Sequence, residues 1–387
     1  MTQHTAPSRR TVAKGALLAA TATLLGPATL LGPTARAAEP AALRLPAPTG
    51  PHPVGLRTFV LTDTSRDDPW EPGAGVREVK ITVLYPARTV RGRPRAPQLT
   101  PAEAQCFAEL APLVRPGLPA AGAVDWGAIL THGHVDAPAL PGRRPVLLYS
   151  PGGGDSRTLG TTLAEDLASH GRIVVLIDHP GDASQVELPS GVRVTVLRGD
   201  PDPATFRTMV DTRVADIRFV LDRLGRLPLA PAMDLRRIGV YGHSAGGTAS
   251  VYALAADARL TASVNLEGYL DLDRDRDQDP LNGLDRPLLL FRTDGFDGAE
   301  RLERSWERLH ARRVLLTDSD HWVFADYAFL VPQLQATGLV TEAARAALVG
   351  AADPAAAVAA VRRGTRSFFA RHLPVPAPPA RGWHASQ

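Results

Sequence analysis

Short, mostly apolar runs alternate with amphipathic segments between residues 145 and 316 of this chain. Such runs are typical of strands that are buried on both faces of a sheet. They occupy residues 146–149, 173–177, 238–241, 262–266, 288–291 and 314–316. Between them, apolar side chains recur at helical spacing, as at Leu159, Leu163 and Leu167. The pattern predicts a doubly wound, mainly parallel sheet with helices on both faces.

Two N-terminal runs, residues 57–62 and 78–85, differ from these core runs. In the second run, apolar and polar side chains alternate, which predicts a half-exposed antiparallel strand. Residues 89–143 are rich in proline, glycine and alanine, and they contain one predicted helix near residues 102–113. We interpret residues 89–143 as an inserted cap segment, which together with residues 182–200 is expected to form the walls of a pocket.

The pattern therefore predicts one α/β domain over residues 57–373. An alanine- and arginine-rich helix is expected at its end, over residues 342–373. The proline-rich stretch before the domain predicts a linker at residues 38–56. The proline-rich end of the chain predicts a flexible tail at residues 374–387.

The segment 1–37 has the organisation of an export signal. Arg9 and Arg10 precede an apolar run from Gly15 to Leu31, and Ala35-Arg36-Ala37 provides a cleavage site. Prolines interrupt this short apolar run, which disfavours a membrane anchor. The adjacent arginines resemble a twin-arginine signal, which exports folded protein. We therefore predict a signal peptide at residues 1–37 and a secreted mature protein.

Composition sets limits on the core and on the partners. The 387 residues are 44% hydrophobic, which is enough for a large core, and a single cysteine allows no internal disulfide. The formal net charge is +3, and arginines are interspersed with acidic residues, as on a solvated mixed surface. Aromatic residues make up only 5% of the chain. We therefore predict no nucleic-acid partner.

The sequence YGHSAGG at residues 241–247 lies between an apolar run and an alanine-rich helix. Gly242 and Gly246 give Ser244 the G-x-S-x-G spacing of a nucleophile elbow, where the serine occupies a strained turn between strand and helix. The backbone N–H of Ala245 would then point at an oxyanion on the attacked carbonyl. A glycine-rich turn that contains serine by chance is the alternative, and the strand–turn–helix context disfavours it.

A serine hydroxyl needs a general base, and in this motif the histidine follows the serine and the acid along the chain. Of the histidines after Ser244, only His321 lies in a loop directly behind a late apolar run, residues 314–316. His243 is adjacent to the serine and is expected to take part in packing. We therefore predict His321 as the base.

Pro151-Gly152-Gly153-Gly154 directly follows the first of the core runs. Without side chains, this backbone can approach a substrate carbonyl closely. We expect the N–H of Gly153 to join that of Ala245 as an oxyanion donor. A phosphate-binding loop is the alternative, but neither a Gly-Lys-Ser/Thr ending nor G-x-G-x-x-G follows.

Three segments together resemble the plasma-type platelet-activating factor acetylhydrolases and their bacterial relatives. They are PGGGDSRTLGTTLAEDLASHG at residues 151–171, GHSAGG at 242–247 and DHWVFADY at 320–327. The resemblance covers about residues 145–332. It implies an α/β-hydrolase fold and a calcium-independent serine esterase that removes short or oxidised acyl chains from phospholipids or smaller esters.

Two residues compete for the place of the triad acid. Glu267 lies where the resembling family has an aspartate, and the family's usual His-Gly opening of the oxyanion loop is Pro151-Gly152 here. Asp294 follows the run 288–291, which is the commonest place for the acid in this fold at large. We prefer Glu267, because a glutamate can also accept the Nδ1 proton of the histidine and an Asp-Gly turn explains Asp294.

These residues predict a secreted serine ester hydrolase with Ser244, His321 and Glu267 as its triad and Gly153 and Ala245 as its oxyanion hole. A cutinase-like lipase or polyester hydrolase of the same fold is the alternative among enzymes. A hydrolase-fold binding protein without catalysis is the alternative outside them. The expected partners are a small-molecule or lipid ester and, transiently, a membrane or lipoprotein surface, and we expect a monomer.

Alternating carboxylates at residues 271–279 resemble the first half of a calcium loop. The glycine at the sixth position and the carboxylate at the twelfth position of such a loop are missing. His132 and His134 lack an obvious third ligand nearby. We therefore predict no metal site and no cofactor.

Overall fold

The computed structural model describes residues 41–197, 199, 201–272 and 279–375. Within these residues the chain forms twelve strands and eight α-helices. The strands are β1 (Val54–Asp67), β2 (Val76–Pro86), β3 (Arg95–Pro97), β4 (Leu130–Val135), β5 (Arg144–Ser150), β6 (Ile173–Ile177), β7 (Gln185–Leu188), β8 (Gly191–Val194), β9 (Met233–His243), β10 (Leu260–Leu266), β11 (Leu288–Thr293) and β12 (Arg312–Leu316). The helices are α1 (Pro101–Val114), α2 (Thr161–Ser169), α3 (Pro203–Leu224), α4 (Ala245–Ala256), α5 (Ala299–Trp306), α6 (Tyr327–Ala336), α7 (Glu342–Val349) and α8 (Pro354–His372).

Ten of these strands form one sheet in the order β12-β11-β10-β9-β5-β6-β2-β1-β4-β3. The six strands from β12 to β6 in this order are parallel to their neighbours. β2 is antiparallel to both β6 and β1, so β2 runs against the parallel strands and β1 again runs in their direction. The predicted doubly wound, mainly parallel sheet with antiparallel N-terminal strands is confirmed.

The path of the chain through the sheet reverses between β5 and β9. From β5 the chain continues to β6 on one side, whereas from β9 it continues through β10 and β11 to β12 on the other side. In open α/β sheets, ligands bind in the crevice that such a reversal leaves at the carboxyl ends of the strands. The segments that follow β5 and β9 contain the predicted oxyanion glycines and the predicted nucleophile.

Helices cover the parallel core on both faces. Apolar side chains of α3, α4 and α5 pack on one face, and those of α2, α6 and α8 pack on the other. Every residue of β6 is buried as a result. Each fully buried valine, leucine or isoleucine side chain stabilises the fold by roughly 1.5–3 kcal/mol, so these central strands form a rigid base for the loops at their ends.

The single helix predicted over residues 342–373 is wrong, because the chain forms α7 and α8 instead. α7 ends at Gly350, whose φ of 84° suits glycine better than residues with a side chain. Asp353 then caps α8 with its side chain, and Pro354 occupies the first helical position, where its missing N–H costs nothing. These signals for a helix start lie inside the predicted helix.

Part of the predicted linker is bound to the domain. Residues 42–53 form no helix or strand, but Leu43 and Leu45 are each only 6% exposed. The backbone N–H and the hydroxyl of Thr49 donate hydrogen bonds to the Asp166 carboxylate of α2, at 2.9 and 2.7 Å. The chain therefore contacts the domain well before β1 begins.

The two predicted cap segments contain regular structure. α1 lies within one residue of the helix predicted over residues 102–113 at each end, and Thr100 and Glu103 begin it with a capping box. β3 and β4 come from the same segment and extend the edge of the sheet beside β1. In the second segment, β7 and β8 form a separate antiparallel hairpin.

Several predicted features lie outside the described residues. They are the signal peptide at residues 1–37, most of the carboxylate run at residues 271–279, and the tail from residue 376 onward. None of the helices in the described part of the chain combines the length and the hydropathy that spanning a bilayer requires.

Candidate active site

Ser244 lies at the tight turn between β9 and α4, as the motif predicts. Its φ of 53° and ψ of −122° fall in a region that a residue with a side chain rarely adopts. Its side chain does not cap α4, so the hydroxyl is not engaged by the helix that it precedes. Among the described residues, only four residues other than glycine have a positive φ, and Ser244 and Glu267 are two of these four. Backbone strain is thus concentrated on two of the predicted catalytic residues.

The two glycines of the motif allow the elbow to pack closely. A Cβ atom on Gly242 would lie 2.2 Å from the carbonyl oxygen of Gly246. A Cβ atom on Gly246 would lie 2.0 Å from the carbonyl oxygen of Ser150, at the end of β5. Neither position can hold a larger residue without moving the backbone, so the elbow is fixed against the neighbouring strand.

Glu267 and His321 are in direct contact. The Oε2 atom of Glu267 lies 2.9 Å from Nδ1 of His321, and the glutamate follows β10 directly. Its other oxygen, Oε1, accepts hydrogen bonds from the backbone N–H of Thr293 and from the Thr293 hydroxyl, the latter at 2.8 Å. The carboxylate is almost fully buried. Both of its oxygens therefore have partners, and its orientation toward the histidine is fixed.

Asp294, the competing acid, lies elsewhere. Its side chain is exposed, and it accepts hydrogen bonds from the backbone N–H groups of Asp318 at 2.9 Å and Ser319 at 3.1 Å. It stabilises the loop before the histidine instead of the histidine ring. Of the two candidate acids, the structure brings only Glu267 to His321.

Aromatic and imidazole rings surround His321. Phe296 stacks on its ring with 4.4 Å between centroids and 16° between planes, and Trp322 meets it edge-on at 5.0 Å. The ring of His243, next to Ser244 in sequence, lies 4.6 Å away. His243 donates its Nε2–H to the backbone carbonyl of His321 at 2.9 Å, and burial holds its pKa well below the usual value. His243 therefore takes part in packing, as predicted, and positions the segment that carries His321.

Asp320 adds a titratable group beside the histidine. Its Oδ1 accepts the backbone N–H of His321 at 2.6 Å. Burial, together with the negative charges of Glu267 and Asp297, raises the pKa of this carboxyl to about 6. The charge around His321 therefore changes near pH 6.

The predicted oxyanion donors come from the two segments at the reversal point. Ala245 is the first residue of α4, and N–H groups in the first turn of a helix have no acceptor within the helix. A Cβ atom on Gly153 would lie 3.9 Å from that of Ala245 and 3.3 Å from Cε of Met209. One on Gly154 would lie 3.7 Å from Cβ of Leu197. The glycine loop thus lies against the start of α4, with two apolar side chains beside it.

Two buried arginines bind the carbonyl groups of the same loop. Arg213 of α3 donates to the carbonyl of Pro151 and, at 3.1 Å, to that of Gly152. Arg115, just after α1, donates to the carbonyl of Gly153 at 2.9 Å. The carbonyls of Pro151, Gly152 and Gly153 are therefore all occupied.

Arg115 also connects this loop to the histidine segment. Its guanidinium lies 3.4 Å from the centroid of the Trp322 ring, and it donates to the buried carboxylate of Asp155 at 2.8 Å. The sequence analysis missed both Arg115 and Arg213. Arginines are numerous in this chain, and neither lies in a recognisable motif, so their positions in the fold were needed to find them.

A separate cavity of about 670 Å³ lies beside β1, β2 and α1. None of the five predicted site residues lines it. Its charged groups are paired with one another: Lys80 with Glu103 at 2.9 Å, and Arg157 with Glu103 at 3.3 Å. Among the residues that the structure describes, no three His, Cys, Asp or Glu side chains are grouped so that they could hold a metal ion.

The sequence of this chain is similar to those of known ester hydrolases. A model of the family described as "Platelet-activating factor acetylhydrolase, isoform II" matches residues 38–187 and 213–377. A probable 1-alkyl-2-acetylglycerophosphocholine esterase of Arthroderma benhamiae is 27% identical over 350 residues, which cover 85% of this chain and 88% of that protein. A platelet-activating factor acetylhydrolase of Canis lupus familiaris is 23% identical over 283 residues, covering 64% of this chain and 62% of the canine protein.

A solved structure is similar over most of both chains. It is a ferulic acid esterase from Streptomyces cinnamoneus, which superposes with a TM-score of 0.71 and is 33% identical. The match covers 87% of this chain and 95% of the esterase. Together with the strand order, this likeness confirms the predicted α/β-hydrolase fold.

Proposed function

This chain belongs to the platelet-activating factor acetylhydrolase, isoform II, family, and on that premise we propose that it hydrolyses carboxylic esters through Ser244, His321 and Glu267. The observation that carries the proposal is the 2.9 Å contact between Glu267 Oε2 and His321 Nδ1. Ser244 is held in a strained elbow, and its backbone N–H donates to the carbonyl of Leu266, the residue before Glu267, at 2.8 Å. This combination supplies a nucleophile, a base and a group that orients the base.

The proposed reaction begins with proton transfer. A carboxylate can only accept a hydrogen bond, so Nδ1 of His321 carries the proton toward Glu267 and Nε2 is left as the base. His321 removes the proton of Ser244 Oγ as that oxygen attacks the ester carbonyl. The imidazolium then protonates the leaving alcohol, and water releases the acid from the acyl-enzyme by the same steps.

The backbone N–H groups of Gly153 and Ala245 are proposed to bind the negative oxygen of the tetrahedral intermediates. Support comes from the position of Ala245 at the start of a helix and from the glycine loop packed against it. A donor at this place acts mainly in the transition state, where the charge develops, and therefore contributes to kcat.

The acyl and alcohol groups are best identified with a series of esters. We expect p-nitrophenyl acetate and butyrate to be hydrolysed with a higher kcat/KM than the octanoate and palmitate, and a glycerophosphocholine with an sn-2 acetyl group to be a substrate. A preference for long chains would favour the lipase or polyester hydrolase alternative. Complete absence of turnover with every ester would favour the non-catalytic alternative.

Esters of aromatic acids are a second candidate substrate class. Phe296 stacks on His321, and the Tyr269 ring lies 5.9 Å from that of Phe296, so an aromatic acyl group would meet ring faces near the reacting atoms. Aromatic pairs contribute roughly 0.5–1.5 kcal/mol beyond the area that they bury. The likeness to a ferulic acid esterase supports the same class.

Phe296→Leu tests this second candidate. If an aromatic acyl group packs on Phe296, the variant should lose about tenfold more kcat/KM on methyl ferulate than on p-nitrophenyl acetate. Phe59→Leu, at a partly buried ring of β1, is the matched control and should affect neither ester. Equal losses on both esters would remove the argument for aromatic specificity.

We further propose that the protein is secreted by the twin-arginine route. The proposal is supported by Arg9 and Arg10 before the apolar run and by the cleavage site at residues 35–37. Replacing both arginines by lysine should leave the precursor inside the cell. Normal secretion of this variant would point to export of the unfolded chain instead. The expected monomer, the transient contact with a lipid surface and the absence of a nucleic-acid partner stay predictions.

A further inference from the structure

A second serine–histidine–carboxylate chain lies behind the oxyanion loop. The hydroxyl of Ser150, the last residue of β5, lies 2.9 Å from Nε2 of His179. Nδ1 of His179 lies 2.9 Å from Oδ2 of Asp216 in α3. All three residues are 0% exposed. No ester can reach Ser150, so this chain has a role other than nucleophilic catalysis.

The hydrogen bonds of this chain run in one direction. Because the Asp216 carboxylate can only accept, the proton of the neutral His179 ring lies on Nδ1, and Nε2 accepts from the Ser150 hydroxyl. Arg213 donates to Ser150 Oγ at 3.1 Å, which leaves the hydroxyl proton free to point to His179. Donors and acceptors therefore match along the whole chain from Arg213 to Asp216.

Two further arginines hold Asp216 in its ionised form. Arg77 donates to its carboxylate at 2.7 and 3.2 Å, and Arg66 donates at 2.9 Å. Burial alone would raise the pKa of Asp216, but the charge of Arg77 and the hydrogen bonds hold it well below the usual value. Burial also lowers the pKa of His179, which keeps the ring neutral. Asp216 is therefore expected to stay ionised and His179 neutral while the enzyme is active.

Arg213 connects this hydrogen-bonded chain to the oxyanion loop. From one guanidinium, Arg213 binds Ser150 Oγ and the carbonyls of Pro151 and Gly152. Its Nε donates to Asp182, which lies three residues before β7. A planar guanidinium with all of these partners has one orientation. The carbonyls that it binds are consequently held at one orientation too.

We propose that Arg213, oriented by the Asp216–His179–Ser150 chain, is a positioning residue that aims the backbone N–H of Gly153 at the oxyanion. This inference rests on the proposed function, since it assumes that Gly153 is an oxyanion donor. The peptide plane between Gly152 and Gly153 contains both the carbonyl that Arg213 binds and this N–H. Because a peptide unit is planar, fixing the carbonyl fixes the N–H on the opposite side.

Ser150→Ala and Arg213→Lys test the proposal in the full-length mature protein. The first removes the hydroxyl that links His179 to Arg213, and the second keeps the positive charge but cannot reproduce the planar set of hydrogen bonds. Ser263→Ala is the matched control, because Ser263 is equally buried in the neighbouring β10 and its hydroxyl bonds to Ser250 at 3.2 Å instead. Active sites are titrated with a fluorophosphonate so that kcat refers to folded enzyme only.

Both variants are expected to lose about 10- to 100-fold in kcat per titrated site, less than the 10²–10³ cost of removing an oxyanion donor outright. KM should stay within about twofold, because the lost interaction acts in the transition state. The inhibition constant of a trifluoromethyl ketone, whose adduct carries a tetrahedral oxyanion, should rise by the same factor as kcat/KM falls. Ser263→Ala should change none of these values.

Two results would overturn the inference: wild-type kcat per titrated site in both variants, or an equal loss in Ser263→Ala. Ser244→Ala is measured in parallel to separate this inference from the proposed function. If Ser244→Ala retains turnover, the proposed function is wrong and the inference falls with it. If Ser244→Ala is inactive while both positioning variants have normal kcat, only the inference is wrong.

Discussion

The Glu267–His321 pair and the buried Asp216–His179–Ser150 chain share one kind of hydrogen bond but have different surroundings. In each, a carboxylate oxygen lies 2.9 Å from Nδ1 of the histidine. Ser150 is fully buried, whereas Ser244 is partly exposed at a turn with a positive φ. Judged by hydrogen bonds alone, the buried chain is the more complete, since its serine contacts its histidine directly.

The difference teaches that hydrogen-bond geometry does not by itself identify a nucleophile. Ser150 ends a strand, is covered by protein and receives a hydrogen bond from Arg213. Ser244 precedes a helix, and its strained backbone presents the hydroxyl at the end of the sheet where the chain path reverses. The proposed nucleophile Ser244 therefore differs from Ser150 in two ways: substrate can reach it, and its backbone is strained.

The strongest test of this contrast is Ser244→Ala. Removing the nucleophile should lower kcat by about 10⁴-fold or more, because no acyl-enzyme can form without the Ser244 hydroxyl. Thermal unfolding should be close to that of the wild type, since the side chain makes no cap hydrogen bond. Near-normal turnover in the purified variant would show that Ser244 is not the nucleophile.

Glu267→Gln and Asp294→Asn sharpen the assignment of the acid. Glu267→Gln keeps the shape but removes the charge that accepts the Nδ1 proton of His321, so kcat should fall by about 10³- to 10⁴-fold. Asp294→Asn should have a small effect, because its carboxylate bonds only to loop N–H groups. The reverse ranking in steady-state kinetics would assign the acid to Asp294.

Glu165 is another buried carboxylate, and unlike Glu267 and Asp216 it has no histidine ring as a partner. Its Oε1 accepts the N–H groups of His132 at 2.5 Å and Gly133 at 2.7 Å, while Oε2 has no partner among the described residues. Burial raises its pKa to about 8. Between pH 4.5 and 8, Glu165 therefore holds its proton more tightly in the folded state than in the unfolded chain. The free energy of unfolding is expected to fall as the pH rises through this range, because the buried carboxyl must lose its proton.

Glu165→Gln should remove this pH dependence. The amide oxygen can keep both hydrogen bonds, so the free energy of unfolding at pH 8 should rise by about 1–3 kcal/mol, with little change at pH 5. Glu109→Gln, at an exposed position of α1, is the control. Denaturant unfolding at both pH values measures the effect, and a variant that is less stable at pH 8 would contradict it.

The smallest expected effect is that of chelation. The proposed mechanism uses no metal ion, so dialysis against EDTA should leave kcat/KM unchanged. Loss of activity that calcium restores would direct attention to the carboxylates at residues 271–279.

The sequence predicted the parallel core and the elbow because each depends on local order, whereas Glu267 was preferred from the resemblance to the acetylhydrolase family. Strands buried on both faces need apolar residues at every position, and the elbow needs small residues beside its serine. β3, β4 and the β7–β8 hairpin were missed because these strands are only three to six residues long, and the alternation in β7 and β8 extends over just four residues each.

The second serine–histidine–carboxylate chain could not be predicted in the same way. Ser150, His179 and Asp216 come from the end of β5, the loop after β6 and the middle of α3. No spacing along the chain relates them. One signal was available: Ser150 and His179 follow neighbouring parallel strands, whose polar ends meet at one edge of the sheet.

The oxyanion loop is held from behind by Arg213, while Met209 and Leu197 lie against its glycines. For protein engineering, this separates the part of the site that performs the chemistry from the part that can be varied. Libraries at Met209 and Leu197 would change the apolar surroundings of the glycine loop and leave in place the arginine that binds its carbonyls. On the proposed function, this arrangement lets the side chains beside the oxyanion donors vary without rebuilding the donors themselves.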